Sequence, residues 1–344
     1  MALLFVDGFD HYDTADFSKK YNSTAGSPSI SAGNGRRSTA GVATMTTSTG
    51  LTKNFAANSA WVMGCSLKVG ALPSAGEWAS IFVLFDAGNR QCELRVNADG
   101  TLTVARFNVP VTGGTSVTAL TVGTTYYIEW KVTIANSIAA NSCKVRIGGV
   151  DAITVATGQD LQDSGVSTAT QVRLGNVSSS GSMGGSTYID DFYVCDQTGS
   201  VNNDFLGDVR VDTLLPNGEG THLDYTPSTG TTHYTLVDET APNTTDYNES
   251  GTAGHRDSYQ MTNLTAASGG IKGVQVLAAA LKDDVGARSI KVGVRSGGTT
   301  TVGTTQALAT TQAYYTAVHE TDPATTAAWT ESGINAVESA VETV

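Results

Sequence analysis

The chain has 344 residues, a formal net charge of −12, 40% hydrophobic residues and only 15% charged ones. That length corresponds to about two domains, and the acidic balance argues against a nucleic-acid partner, which needs basic patches. No run of about 18 apolar residues suggests a membrane span, and Met1–Phe9 lacks the basic start of a secretory signal. The chain is expected to be made in a reducing cytosol.

With 38 glycines and little helical periodicity, the chain reads as all-β. Leu3–Asp10 is a short apolar strand, and residues 12–52 read as polar loops with one or two short strands, Arg37–Ala43 included. Trp61–Val69 alternates, with Trp61, Met63, Cys65, Leu67 and Val69 on one face. Ala79–Asp86 is a buried strand candidate. Gln91–Asn97 and Thr101–Phe107 flank Ala98-Asp99-Gly100, and Asp-Gly between alternating strands signals a hairpin. Thr125–Ala135 puts Tyr126, Ile128, Trp130, Val132 and Ile134 on one face and Tyr127, Glu129, Lys131 and Thr133 on the other. Cys143–Ile147, a Gly148-Gly149 turn, Asp151–Ala156 and Thr170–Leu174 follow.

Thr187–Cys195 closes this half. Its alternation places Ile189, Phe192 and Val194 toward a core and slips at Asp190-Asp191. It is expected to pair with Leu3–Asp10 and so bring the ends of one domain together.

Four pieces occur in a familiar order. They are Leu94-Arg95-Val96 with Asp99–Leu102, then Thr125–Trp130, then Val145–Gly149, then Ile189–Tyr193. This order resembles the concanavalin A-like, or laminin G-like, sandwich. The opening Leu4-Phe5-Val6-Asp7-Gly8-Phe9-Asp10-His11-Tyr12 resembles the start of virion structural proteins of tailed bacteriophages that carry such a sandwich. The resemblance implies a concanavalin A-like jelly roll over residues 1–196, a linker over 197–204, and a second, smaller β-sandwich-like domain over 205–344.

In that second half, strands are expected at Leu206–Leu215, Tyr234–Val237, Asp257–Met261, Lys272–Leu281, Arg288–Ser296 and Tyr314–Glu320. Asn217-Gly218-Glu219-Gly220 and Ser296-Gly297-Gly298 read as turns. Leu277–Asp284 has helical propensity, but the alternation at Val274 and Val276 favours a strand. Residues 322–332 read as a loop with a helical turn, and Ile334–Val344 as a returning strand, with a short helix as the alternative.

The chemistry-bearing residues are sparse. Glucanases on this fold use two Glu side chains on one strand face. Glu129-Trp130 and Asp190-Asp191-Phe192 supply no such pair, and Glu129 is expected to face solvent. No enzyme is expected, and no catalytic residue is assigned. Asp7, Asp10, Asp190 and Asp191 would approach one another if the terminal strands pair, an oxygen set of the type Ca²⁺ takes, but no metal or cofactor is assigned. Cys65, Cys92, Cys143 and Cys195 have no metal-site spacing and are expected as free, buried thiols. Trp61 and Trp130 read as core. Trp78, beside Gly76-Glu77, is the exposed candidate for a glycan or subunit contact.

The expected function is a non-enzymatic structural protein on the exterior of a tailed-phage virion, in capsid decoration or on the tail surface or fibre. Its partners would be other virion proteins and copies of itself, as a trimer, acting through multivalent contacts. The alternative is an adhesin module that binds host surface glycans.

Overall fold

The computed structural model describes residues 2–86, 88–135, 137–155, 158–163, 165–177, 179–264 and 269–344. The chain divides into two compact units, Met1–Val211 and Asp212–Val344. Both are built from antiparallel β-sheet, so the chain is all-β.

The first unit opens with β1 (Leu3–Asp7), β2 (Ser23–Ala25), β3 (Ser29–Ser31), β4 (Gly41–Ala43), β5 (Thr49–Asn58) and β6 (Ala60–Lys68). There follow β7 (Trp78–Asp86), β8 (Asn89–Asn97), β9 (Thr101–Arg106), β10 (Val109–Ala119) and β11 (Thr125–Thr133). It ends with β12 (Ser142–Ile147), β13 (Val150–Val155), β14 (Ala169–Asn176) and β15 (Tyr188–Cys195). Sheet I has the order β13-β12-β11-β6-β15-β4-β3, with β1 also on β15. Sheet II has the order β10-β9-β8-β7-β14-β5-β2.

The two inner faces form the core. Phe82 of β7 stacks on Phe192 of β15 with ring centroids 6.0 Å apart. Trp61, Trp130, Phe5, Met63 and Leu67 are fully buried around them. Each such side chain contributes about 1.5–3 kcal/mol through lost apolar hydration. All four cysteines are buried thiols outside any disulfide.

β15 pairs with β1 as the sequence suggests, from Leu3↔Cys195 to Asp7↔Phe192. The slip at Asp190-Asp191 is a β-bulge, where the register with β6 shifts and Asp191 takes φ 50°. On the edge of β15 away from β6, β1 occupies the half after the bulge and β4 pairs at Ile189 before it. The hairpin around Asp99-Gly100 forms, with Gly100 at φ 83°. The Asp151 strand runs Val150–Val155, and its expected last residue, Ala156, lies outside the described residues. Strands β5 and β10 have no counterpart in the sequence reading. β10 is an edge strand with Val109 and Val117 exposed, so hydrophobic alternation does not mark it.

Residues 196–211 belong to the first unit. The Asp196 N–H donates to the Ala2 carbonyl, and Gln197 Nε2 donates to the Trp61 and Val132 carbonyls. The expected strand at Leu206–Leu215 does not form. In it the N–H groups of Gly207 and Val211 donate to the Glu129 and Asp191 carboxylates rather than to a neighbouring strand. Glu129, expected in solvent, is consequently 1% exposed.

The second unit holds β16 (Pro216–Leu223), β17 (Thr226–Pro227), β18 (Asn248–Glu249), β19 (Arg256–Met261) and β20 (Val274–Ala280). It continues with β21 (Ser289–Ser296), β22 (Thr299–Val302), β23 (Gln306–Ala307), β24 (Ala313–His319) and β25 (Glu338–Thr343). Its main sheet runs β16-β19-β25-β21-β22, and β20 pairs with β24. Val276, Tyr315 and Ala317 of the β20–β24 ribbon share one core with Val292, Val294 and Trp329. The Asn217–Gly220 stretch, expected as a turn, lies inside β16. There a Cβ at Gly220 would meet the Ser258 backbone at 2.4 Å, so glycine permits close strand approach. Tyr234–Leu236 is a 3₁₀ turn rather than a strand. A four-residue helix, Glu331–Ile334, capped by Thr330, precedes β25.

Candidate functional site

The site grows from the outward face of sheet II. Alternation along β7, β8 and β14 sends Phe82, Leu94 and Leu174 inward. The intervening positions point outward. Arg173, Val83, Glu93 and Ala105 form one row across four strands. Ser80, Arg95, Thr103 and Thr115 form the next, and Gln171, Phe85 and Arg90 the row on the other side. Three guanidinium groups and one carboxylate therefore share this face.

Each arginine lies on an aromatic ring. Cζ of Arg95 is 4.5 Å from the Trp78 ring centroid, that of Arg90 4.7 Å from Phe107, and that of Arg173 3.4 Å from Phe85. Cation–π attraction of this kind favours the charged form. Glu93, fully buried, stands 3.7 Å from Arg90 and 3.7 Å from Arg95. Burial pulls the Arg95 guanidinium below its ordinary range; Glu93 opposes that and Arg90 adds to it. Burial lowers Arg173 as well.

A cleft of about 500 Å³ opens here, lined by Ser48, Trp78, Arg90, Asn108, Val177, Ser179 and Ser180. Trp78, the residue singled out in the sequence, is the first residue of β7 and is half-buried. Its N–H donates to Ser180 Oγ, and its carbonyl accepts from Gly181 N–H. The loop is fixed from below by Asn176, whose Oδ1 accepts from Ser80 N–H and whose Nδ2 donates to the Gly181 carbonyl. Arg90 is held by a 2.7 Å hydrogen bond from its guanidinium to Asn108 Oδ1. An indole, a guanidinium, an amide and serine hydroxyls thus border one opening.

The other candidates part company. Asp7 points into the core, where its carboxylate accepts from Tyr12 and Tyr21 hydroxyls at 2.7 Å and pairs with Lys20 at 2.9 Å. Burial pushes the Asp7 carboxyl up, but Lys20, His11 and Tyr12 more than offset this and hold it below its usual range. His11, which touches Lys20 at 2.9 Å, is driven down to about 3 by burial and that cation. Asp10 instead accepts from the Ala40 N–H.

Asp190 accepts from Arg36 N–H and Thr39 Oγ1, and Asp191 from Val211 N–H. Burial and the neighbouring Asp191 raise Asp190 to about 7. Asp7 and Asp10 thus have partners of their own while Asp190 and Asp191 share Arg36, and among the described residues no group of three or more acids, histidines or cysteines is placed to hold a metal. The arginine face escaped sequence reasoning. Arg173 is distant in the chain from Arg90 and Arg95, and alternating charges on a strand ordinarily mark a solvated face.

No family model matches the chain, and no curated protein matches it. Solved structures with a similar β-architecture include a cellulose-induced protein, at 13% identity and a TM-score of 0.38 over 56% of this chain and 96% of that one. They also include an alginate lyase, at 11% identity and 0.33 over 42% and 73% of the respective chains. A third is the Trypanosoma rangeli sialidase, at 11% identity and 0.35 over 49% of this chain. The match spans 27% of the sialidase's length. These likenesses concern the fold alone. Two of the three proteins are enzymes, so the expectation that this chain is not an enzyme is withdrawn.

Proposed function

We propose that the first unit is a carbohydrate-binding module whose site is the cleft beside Trp78. The observation that carries this reading is the lining itself. A half-buried indole offers an apolar face to a sugar ring, while Arg90, Asn108, Ser179 and Ser180 present hydrogen-bonding groups around it. Concave sites that combine an aromatic platform with a few placed polar groups suit small polar ligands.

The setting is a separate part of the proposal. The resemblance of Leu4–Tyr12 to tailed-phage virion proteins supports a place on the exterior of a particle, where repeated copies would add avidity to a weak site. Antibody labelling of particles by electron microscopy tests that part, and absence of label removes it.

The test of the site is titration of the full chain, and of Trp78→Ala, against immobilised oligosaccharides. The wild-type chain should bind, and Trp78→Ala should bind at least about tenfold more weakly, on the scale of one lost aromatic contact of ~1.5 kcal/mol. No binding by the wild type at millimolar sugar would sink the reading.

A further inference from the structure

From the arginine face of sheet II we infer that the glycan taken by this site carries carboxylate groups, as uronate oligosaccharides do. The inference rests on the glycan reading of the Trp78 cleft and names the ligand's chemical class.

The first support is charge balance. The chain carries −12 overall, yet Arg90, Arg95 and Arg173 share their sheet face with a single carboxylate, Glu93. One carboxylate against three guanidiniums leaves two positive charges concentrated in an acidic protein. Desolvated cations without counter-charge are costly and persist where something else supplies the charge.

The second support is unmet hydrogen bonding. Arg95 is 5% exposed, and neither its Nε nor its Nη1 has a hydrogen-bond partner among the described residues. Its approach to Glu93, at 3.7 Å, is an ion pair too long for a hydrogen bond. Arg90 Nε and Arg173 Nε are buried without a partner in the same way. Buried N–H donors are nearly always satisfied in a finished structure. A guanidinium fork matches a carboxylate through two parallel hydrogen bonds, so one bound carboxylate would answer both deficits together.

The third support is position. Arg90 borders the cleft directly, and the Trp78 indole lies over Arg95. A sugar carboxylate reaches Arg90 from the opening. Arg95 lies directly against the indole that borders the same opening. Trp61, Trp130 and Trp329 are 0–3% exposed, so a change in tryptophan emission on binding reports chiefly on Trp78.

The experiment compares uronate oligosaccharides, their methyl esters and neutral oligosaccharides of equal length, with binding to the full chain read by calorimetry and tryptophan emission. The expected result is that a uronate oligomer binds and its methyl ester binds at least tenfold more weakly. Added salt should also weaken the acid form selectively. Arg95→Met and, at the rim, Arg90→Gln should each remove at least tenfold of the preference for acid over ester, in variants whose unfolding midpoints show that they fold. Equal binding of acid and ester, or binding of neutral oligosaccharides alone, overturns the inference and leaves the glycan site standing. No binding of any oligosaccharide overturns both.

Discussion

Glu129 on sheet I and Glu93 on sheet II are both buried carboxylates on the outward side of a central strand, and their surroundings differ. Glu129 Oε1 accepts the Tyr193 hydroxyl at 2.6 Å and Gly207 N–H at 2.9 Å. The segment that supplies Gly207 also brings Asp208 to Arg36 and Val211 to Asp191. Sheet I is thus sealed by chain from its own unit, through directed hydrogen bonds. On sheet II, Glu93 is approached by two arginines at ion-pair distance, and the Nε of Arg90, Arg95 and Arg173 and the Nη1 of Arg95 have no hydrogen-bond partner among the described residues. A buried charge with short, directed partners belongs to the architecture. Under the acidic-glycan proposal, a bound ligand would supply the partners that the sheet II arginines lack, whereas on sheet I the Glu129 carboxylate has only its Oε2 left without one among the described residues.

The largest effect expected from breaking this contrast is on sheet I. Asp191→Ala removes the acceptor for Val211 N–H, strips Arg36 of one counter-charge and puts alanine at a left-handed φ of 50°. It should cost about 3 kcal/mol in denaturant unfolding, with sugar binding little changed in the folded fraction. Next comes Arg95→Met. If the arginine face is a binding surface rather than a girder, this change should cost less than about 1 kcal/mol of stability while abolishing preference for the acidic ligand. A loss as large as that of Asp191→Ala would show that the two faces are alike.

A smaller effect concerns pH. The Asp190 carboxyl is raised to about 7 in the folded chain against an ordinary value of 3.8. Its protonated form is thus favoured by folding, so its contribution is fully present below about 4 and is lost as pH rises through about 7. The melting temperature of the first unit should fall between pH 5 and pH 8, and Asp190→Asn should flatten that slope. The smallest effect is expected from Arg146→Gln, which breaks an exposed pair with Asp151. Its melting temperature should match the wild type, and its sugar binding should be unaltered.

Much of the first unit is written locally. The alternation of Thr187–Cys195 and its break at Asp190-Asp191 foretell both the strand and the bulge. Asp99-Gly100 foretells a hairpin, because glycine takes the φ of 83° that the turn needs. What escaped is non-local. Asn217–Gly220 has the composition of a turn, and only the closeness of Ser258 shows that its glycines serve strand contact. Leu206–Leu215 is apolar enough for a strand, but its N–H groups find carboxylates first. Of the candidate site, Trp78 was legible as an aromatic at the mouth of a turn. Arg90, Arg95 and Arg173 were not, since their meaning lies in burial and in the register that sets β14 beside β7 and β7 beside β8.

The placement of β15 and β25 bears on how the chain is made. Each is the last strand of its unit in sequence, yet each lies between partners, β15 between β6 and the β1–β4 edge and β25 between β19 and β21. During synthesis the earlier strands of each sheet leave the ribosome with a gap at the centre, their edges open until the last strand arrives. Open edges invite pairing with other chains, and such non-local closure is slow. Production of this protein should therefore be limited by the interval before each final strand docks, a vulnerability of the nascent chain that the finished sandwich no longer has.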